Sequence, residues 1–138
     1  MPGSVDDTYV AALQHDLFDP GTATLVGVAR RPASWLYAAV HENQPSLGPP
    51  ADLLDEVSDR EESLKVAGLC EEEAHNAAFE EADFAARYRE HLTSGAAADA
   101  VADLRGRRAD GEDLVLVCYE NTAEKRCHRT ILADVLTD

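Results

Sequence analysis

Three consecutive residues, Cys127-His128-Arg129, put a thiol, an imidazole and a guanidinium at the start of an amphipathic segment. A helix N-terminus carries unpaired N–H groups and the positive end of the helix dipole, and both attract anions. A cysteine placed there ionises early and reacts as thiolate. An arginine beside it can fork onto a carboxylate or phosphate. The chemistry this spacing points to is a small-anion site in which Arg129, with Arg30 and Arg31 of an earlier loop, binds the ligand. Cys127 would serve as thiolate, and His128 or Glu120 as acid/base. The same residue types also suit a non-catalytic interaction or regulatory module. There Cys127 packs in the core, His128 bonds a backbone carbonyl, and Arg129 pairs with Glu120 or Asp134. Both readings stand at this point.

Spacing removes several alternatives. Thiol phosphatases and arsenate reductases need Cys-x5-Arg after a strand, so that one phosphate meets both groups. Counted from Cys118, that position is Glu124, and the arginine comes only at 126. No GxxxxGK[ST] loop, GxGxxG turn or GxSxG elbow is present. Cys118, Cys127 and His128, joined by Cys70 or His75, would suffice for tetrahedral zinc. Neither cysteine pair has CxxC spacing, however, so no metal and no other cofactor is expected. Cys118 itself reads as a small buried hydrophobe. His15, His41 and His91 lack partners in sequence and read as solvated or satisfied side chains; His75-Asn76 is a weaker contributor to a site.

The elements that must position these residues follow from periodicity. Residues 24–29, TLVGVA, form a continuous apolar run between a Pro-Gly turn and Arg30-Arg31-Pro32, which predicts a buried parallel strand. DLVLVCYE, 113–120, is the strongest strand in the chain. TYVAALQ, 8–14, is ambiguous between a strand and the start of a helix. Ser34 caps a short helix through Trp35, Tyr37 and Val40, whose aromatics would staple it to the sheet; the loop NQPSLGPP ends it. Leu53, Leu54, Val57 and Leu64 mark a helix ended near Gly68. A long helix is predicted over 71–92, led by Glu71-Glu72-Glu73, and another carries Val101 and Leu104 up to Asp110-Gly111. A last helix runs from Cys127 to Leu136. Strands separated by helical crossovers predict one α/β domain over 1–138, a mostly parallel sheet of three or four strands flanked by helices. In such sheets ligands bind beyond the carboxyl ends of the strands. The loops 30–34 and 120–126 belong there.

Composition sets the environment. Twenty-seven acidic against twelve basic residues give a net charge of −15, and only Lys65 and Lys125 are lysines. Many carboxylates, few lysines and small apolar side chains resemble proteins of salt-accumulating halophiles, where molar salt shrinks the Debye length to about 3 Å. A basic footprint for nucleic acid is missing, so none is expected as a partner. No apolar run is long enough for a membrane span, and the N-terminus lacks a secretory pattern. The expectation is a cytoplasmic protein with reduced thiols, its three cysteines too few for a complete disulfide framework.

Cys-Tyr-Glu, a short loop, then Cys-His-Arg opening a helix resembles the end of the domain-of-unknown-function 488 family. The segment DFAARYREHL is similar to that family's Phe-x3-Tyr helix, and LVGVARRPAS to its strand ending in Asp-Val-Arg before a Pro-Ser loop. The resemblance covers residues 8 to 136 and implies a compact α/β domain. It implies no particular activity. Gly27 and Ala29 stand where the family usually shows Asp and Arg, and GLCEEEAHNAAFEEADF is not a common family feature.

Overall fold

A computed structural model describes residues 2–119 and 125–137. Its centre is a four-stranded, all-parallel sheet in the order β1-β4-β2-β3. The strands are β1 (Val5–Tyr9), β2 (Thr24–Gly27), β3 (Glu42–Asn43) and β4 (Leu114–Cys118). The last strand lies between β1 and β2, with Leu114 opposite both Val5 and Thr24 and Cys118 opposite Tyr9. A strand paired on both edges and covered on both faces should be apolar throughout. LVLVC meets that condition, and all five residues are buried. The predicted α/β class and parallel sheet are therefore observed, with four strands.

Seven α-helices flank the sheet among the described residues: α1 (Val10–Gln14), α2 (Ser34–Ala39), α3 (Ala51–Val66), α4 (Glu71–Glu81), α5 (Phe84–His91), α6 (Gly95–Ala109) and α7 (His128–Thr137). A 3-10 turn spans Pro45–Leu47. Val26, Val28, Leu114 and Leu116 from the sheet region meet Leu36, Leu47, Leu53, Phe84, Tyr88, Leu104 and Leu132 in one core. No helix among the described residues is long and apolar enough to cross a membrane.

One local ambiguity is resolved and two expectations are corrected. TYVAALQ is split between strand and helix: β1 ends at Tyr9 and α1 begins at Val10. The helix predicted over 71–92 is broken in two at Asp83, whose φ of 54° is left-handed. Asp tolerates that conformation better than most residues. The break lets Phe79 stack on Phe84 at 4.1 Å and turns Tyr88 into the core. In α2, Leu36 is the buried anchor, while Trp35 and Tyr37 stay about half exposed (47% and 55%). The aromatic staple is thus aliphatic.

Candidate functional site

Cys118 closes the central strand and Cys127 immediately precedes α7, so the parallel topology brings them together at the carboxyl edge of the sheet. Their sulfurs and a ring nitrogen of His128 all lie within 4.8 Å of one another. All three residues are buried, yet all three line one cavity of about 310 Å³. Its wall also carries Arg30, Arg31, Lys125 and Arg126, four of the chain's twelve basic residues, against Glu61 and Glu71. On a protein of net charge −15, that concentration of cations is local and specific.

The proton positions follow from the partners. His128 Nε2 lies 2.6 Å from the Val28 carbonyl oxygen, which can only accept, so Nε2 carries a hydrogen and donates it. Nδ1 is then the nitrogen that faces Cys127 Sγ, at 3.5 Å. Three neighbours favour the ionised form of Cys127: the Cys118 thiol, His128 and the backbone N–H of Arg129. Together they outweigh the cost of burial and hold Cys127 well below the usual thiol range. The same contact works in reverse on Cys118, which donates to Cys127 and, with burial adding to the effect, is pushed well above that range. Of the two, Cys127 is the one whose ionisation these surroundings favour. Cys127 immediately precedes α7, where the positive end of the helix dipole favours a negative charge.

The sequence-predicted residues are placed unequally. Cys127 and His128 meet as expected. Arg30 lies in the cavity wall, its Nε donating to Pro49 O at 2.9 Å and its Nη2 to Gly48 O at 3.2 Å. Arg31 lies at the rim, 60% exposed and 3.2 Å from Asp55. Arg129 does not join them. Its side chain is 2% exposed, its Nε donates to Asp7 Oδ1 at 3.0 Å, and its guanidinium sits 6.0 Å from the Tyr9 ring centre. The guanidinium is turned toward β1, because a buried cation at the helix start needs a carboxylate, and β1 supplies it. Glu120 lies outside the described residues.

Other side chains complete the wall. His75 Nε2 donates to Arg126 O at 2.8 Å, and Asn76 Oδ1 accepts the Arg126 N–H at 2.9 Å. Two adjacent residues of α4 thereby hold the backbone just before Cys127. Tyr119 lies in the wall and donates no farther than the Arg31 carbonyl, while its oxygen accepts from Ala33 N–H at 2.7 Å. Nothing in the spacing of α4 announces its contact with residue 126, fifty positions away.

The glycine that ends β2 has a steric reason. A Cβ on Gly27 would lie 2.6 Å from Asn43 Oδ1. The Asn43 carboxamide occupies that space and grips Ala29 from both sides, accepting from its N–H and donating to its carbonyl, each at 3.2 Å. The neighbouring loop is equally tight: a Cβ on Gly48 would meet the Arg30 backbone nitrogen at 2.3 Å.

As a metal site, Cys118, Cys127 and His128 are the one group among the described residues with suitable donors. The further ligands that the sequence offered do not join the three. Cys70 is exposed and donates to Glu73 Oε1 at 3.1 Å; His75 is held between Arg126 O and Glu61.

No curated protein and no solved structure matches this chain. A family model described as the active DUF488-N3 subclade matches residues 9–138, nearly the whole chain, and the protein therefore belongs to that domain-of-unknown-function 488 family.

Proposed function

We propose that this protein is a thiol-dependent enzyme acting on a small anionic molecule, with Cys127 as nucleophile and His128 as its acid/base. The observation that carries the reading is the setting of Cys127 Sγ. It lies 3.5 Å from His128 Nδ1 and within 4.8 Å of Cys118 Sγ, just before the start of α7, while it lines a cavity walled by Arg30, Arg31, Lys125 and Arg126. A thiolate needs neighbouring donors to persist out of water, and a nucleophile needs an opening to its substrate. The word "active" in the subclade's description accords with this reading. The setting we propose is the reducing cytoplasm of a salt-accumulating organism, supported by the net charge of −15 and the two lysines.

Alkylation tests the reading. At neutral pH, Cys127 should react ahead of Cys118 in the folded protein, as mapped by peptide mass. An ordinary thiol prefers neutral iodoacetamide; Cys127 should shift toward anionic iodoacetate, and Arg31→Gln should reduce the shift. The burial of Cys127, His128 and Arg129, each 5% exposed or less, favours a second reading, in which the motif only ties α7 to the sheet. On that reading Cys127 is inert in the native protein and only exposed Cys70 is modified.

A further inference from the structure

Cys118 is more than a donor to Cys127. Two sulfurs within 4.8 Å of each other, one from the end of the central strand and one from the residue just before the following helix, open on the same cavity. At that separation the gap to be closed for them to bond is small. We infer that Cys127 and Cys118 form a two-cysteine redox pair that exchanges with the disulfide of a small, carboxylate-bearing thiol. The inference rests on the thiolate reading of Cys127 and adds a second cysteine, a reaction and a substrate class.

The exchange balances with the groups present. The Cys127 thiolate attacks one sulfur of the substrate disulfide R–S–S–R. The substrate S–S bond breaks, a Cys127–S–S–R bond forms, and RS⁻ leaves with the proton held on His128 Nδ1. Cys118 then attacks Cys127 Sγ and expels the second RS⁻, which takes the Cys118 proton. The products are two R–SH and a Cys118–Cys127 disulfide; the substrate is reduced by two electrons and the cysteine pair oxidised by two. Run in reverse, two molecules of the small thiol restore the dithiol. Division of labour supports this order. The stabilised thiolate attacks first, and the thiol that keeps its proton waits. The cations explain the anionic class. Arg30 and Arg31 border the entry to Cys127, and a leaving thiolate with carboxylates gains from both.

Oxidised glutathione is a suitable anionic probe, with cystamine as its cationic counterpart. The native wild-type protein is incubated with each, quenched in acid, denatured, alkylated and mapped by mass. The expected product from oxidised glutathione is a Cys118–Cys127 cross-linked peptide, two hydrogens lighter than the dithiol. Cystamine should give it on the order of tenfold more slowly, the lower end of what local charge does to encounter. Cys118→Ala should halt the reaction at a glutathione adduct on Cys127. A persistent Cys127 adduct in the wild type overturns the inference and leaves the thiolate reading intact, and needs no variant to fold. Reaction with iodoacetate but not with oxidised glutathione has the same meaning. Equal rates with cystamine overturn the anionic class. Inertness of Cys127 to both iodoacetate and oxidised glutathione overturns the thiolate reading itself.

Discussion

Replacing Asp7 with Ala removes one carboxylate partner from a cation that has almost no access to water. Arg129 keeps 2% of its side chain exposed, whereas Asp7 keeps 25%. The two partners should therefore not be equivalent. Breaking a buried pair so that its charge stays behind costs about 3–5 kcal/mol. The residual exposure of Asp7 and the Tyr9 ring beside the guanidinium place Asp7→Ala at the lower end, about 3 kcal/mol. The complementary Arg129→Met leaves a carboxylate that water already reaches, and keeps most of the packing volume, so about 1–2 kcal/mol is expected. For 138 residues, an unfolding entropy of about 2.1 cal/mol/K per residue gives about 0.29 kcal/mol/K. Asp7→Ala should thus lower Tm by about 10 °C and Arg129→Met by about half that. Urea melts at one fixed salt concentration, with the double variant closing the cycle, provide the measurement. The double variant should cost no more than Asp7→Ala alone. If Asp7→Ala costs under about 1 kcal/mol, or if Arg129→Met is the more damaging single change, the asymmetry argued from burial is refuted. The reading that the Arg129–Asp7 pair ties the start of α7 to β1 would then need another basis. Iodoacetate reactivity of Cys127 in Arg129→Met separates the remaining options. Retained reactivity means that Arg129 holds the helix, and selective loss of the preference for the anion means that it binds the ligand.

Tyr88 donates to the Leu47 carbonyl from within the core, and burial, the first cause, raises its phenol well above the ordinary range. Tyr88→Phe should cost about 1–2 kcal/mol, read as a lower urea midpoint at unchanged slope. Between its depressed pKa and the ordinary thiol value of about 8.5, Cys127 binds fewer protons folded than unfolded, so its stabilising contribution grows as pH rises through that window. Cys118 has the opposite sign: its contribution is complete below about 8.5 and is lost above it as the unfolded thiol ionises first. Wild type minus a Cys118→Ala/Cys127→Ala variant, melted at successive pH values, should show a maximum near 8.5, and a monotonic difference would contradict the assignment of thiolate and thiol. Restoring the usual family residue with Gly27→Asp should destabilise by about 1–3 kcal/mol through collision with Asn43, and Asn43→Gly should recover most of the loss in a thermal melt.

The legible parts of this protein were those governed by local pattern. β4 is a run of β-branched and aliphatic residues without alternation, and such a run has few stable places other than the middle of a parallel sheet. The start of α7 was legible for a similar reason, since Cys-His-Arg precedes a period of apolar residues that fits only a helix. β3 was not, because two residues carry no period; it exists through Gly27 and Val26 pairing with Asn43 and Glu42. The break at Asp83 was equally hidden, since the apolar positions on either side continue the same stripe, and the stacking of Phe79 on Phe84 decides it. In the candidate site, the adjacency of Cys127 and His128 follows from the chain itself. The turning of Arg129 toward Asp7 depends on a partner 122 positions away. Lys125 and Arg126 entered the cavity wall because α4 holds the Arg126 backbone, a contact with no signature in sequence.

Burial and reactivity were treated in the sequence as alternatives for Cys118, and the geometry makes them compatible. A buried thiol beside a thiolate is a hydrogen-bond donor that needs no water, and the pair costs less to bury than either sulfur ionised alone. The same reasoning ranks the cations. Arg31, Lys125 and Arg126 are each tied to a carboxylate that is 65% exposed or more, the kind of contact worth about 0–1 kcal/mol and weakened by salt. An incoming anion displaces such partners at little cost. Arg30 is different. Its Nε and Nη2 are engaged by the Pro49 and Gly48 carbonyls, which orient the guanidinium without neutralising it. Among the described residues no carboxylate forms an ion pair with it. A charge held in place by neutral acceptors is already organised for a ligand before one arrives. Gly48 permits this arrangement, because any side chain there would strike the Arg30 backbone. Gly48→Ala should therefore weaken the preference of Cys127 for iodoacetate over iodoacetamide more than Arg31→Gln does, although Gly48 itself carries no charge. Equal or smaller loss in Gly48→Ala, in a variant whose melt shows it folded, would move the centre of anion binding from Arg30 to the rim.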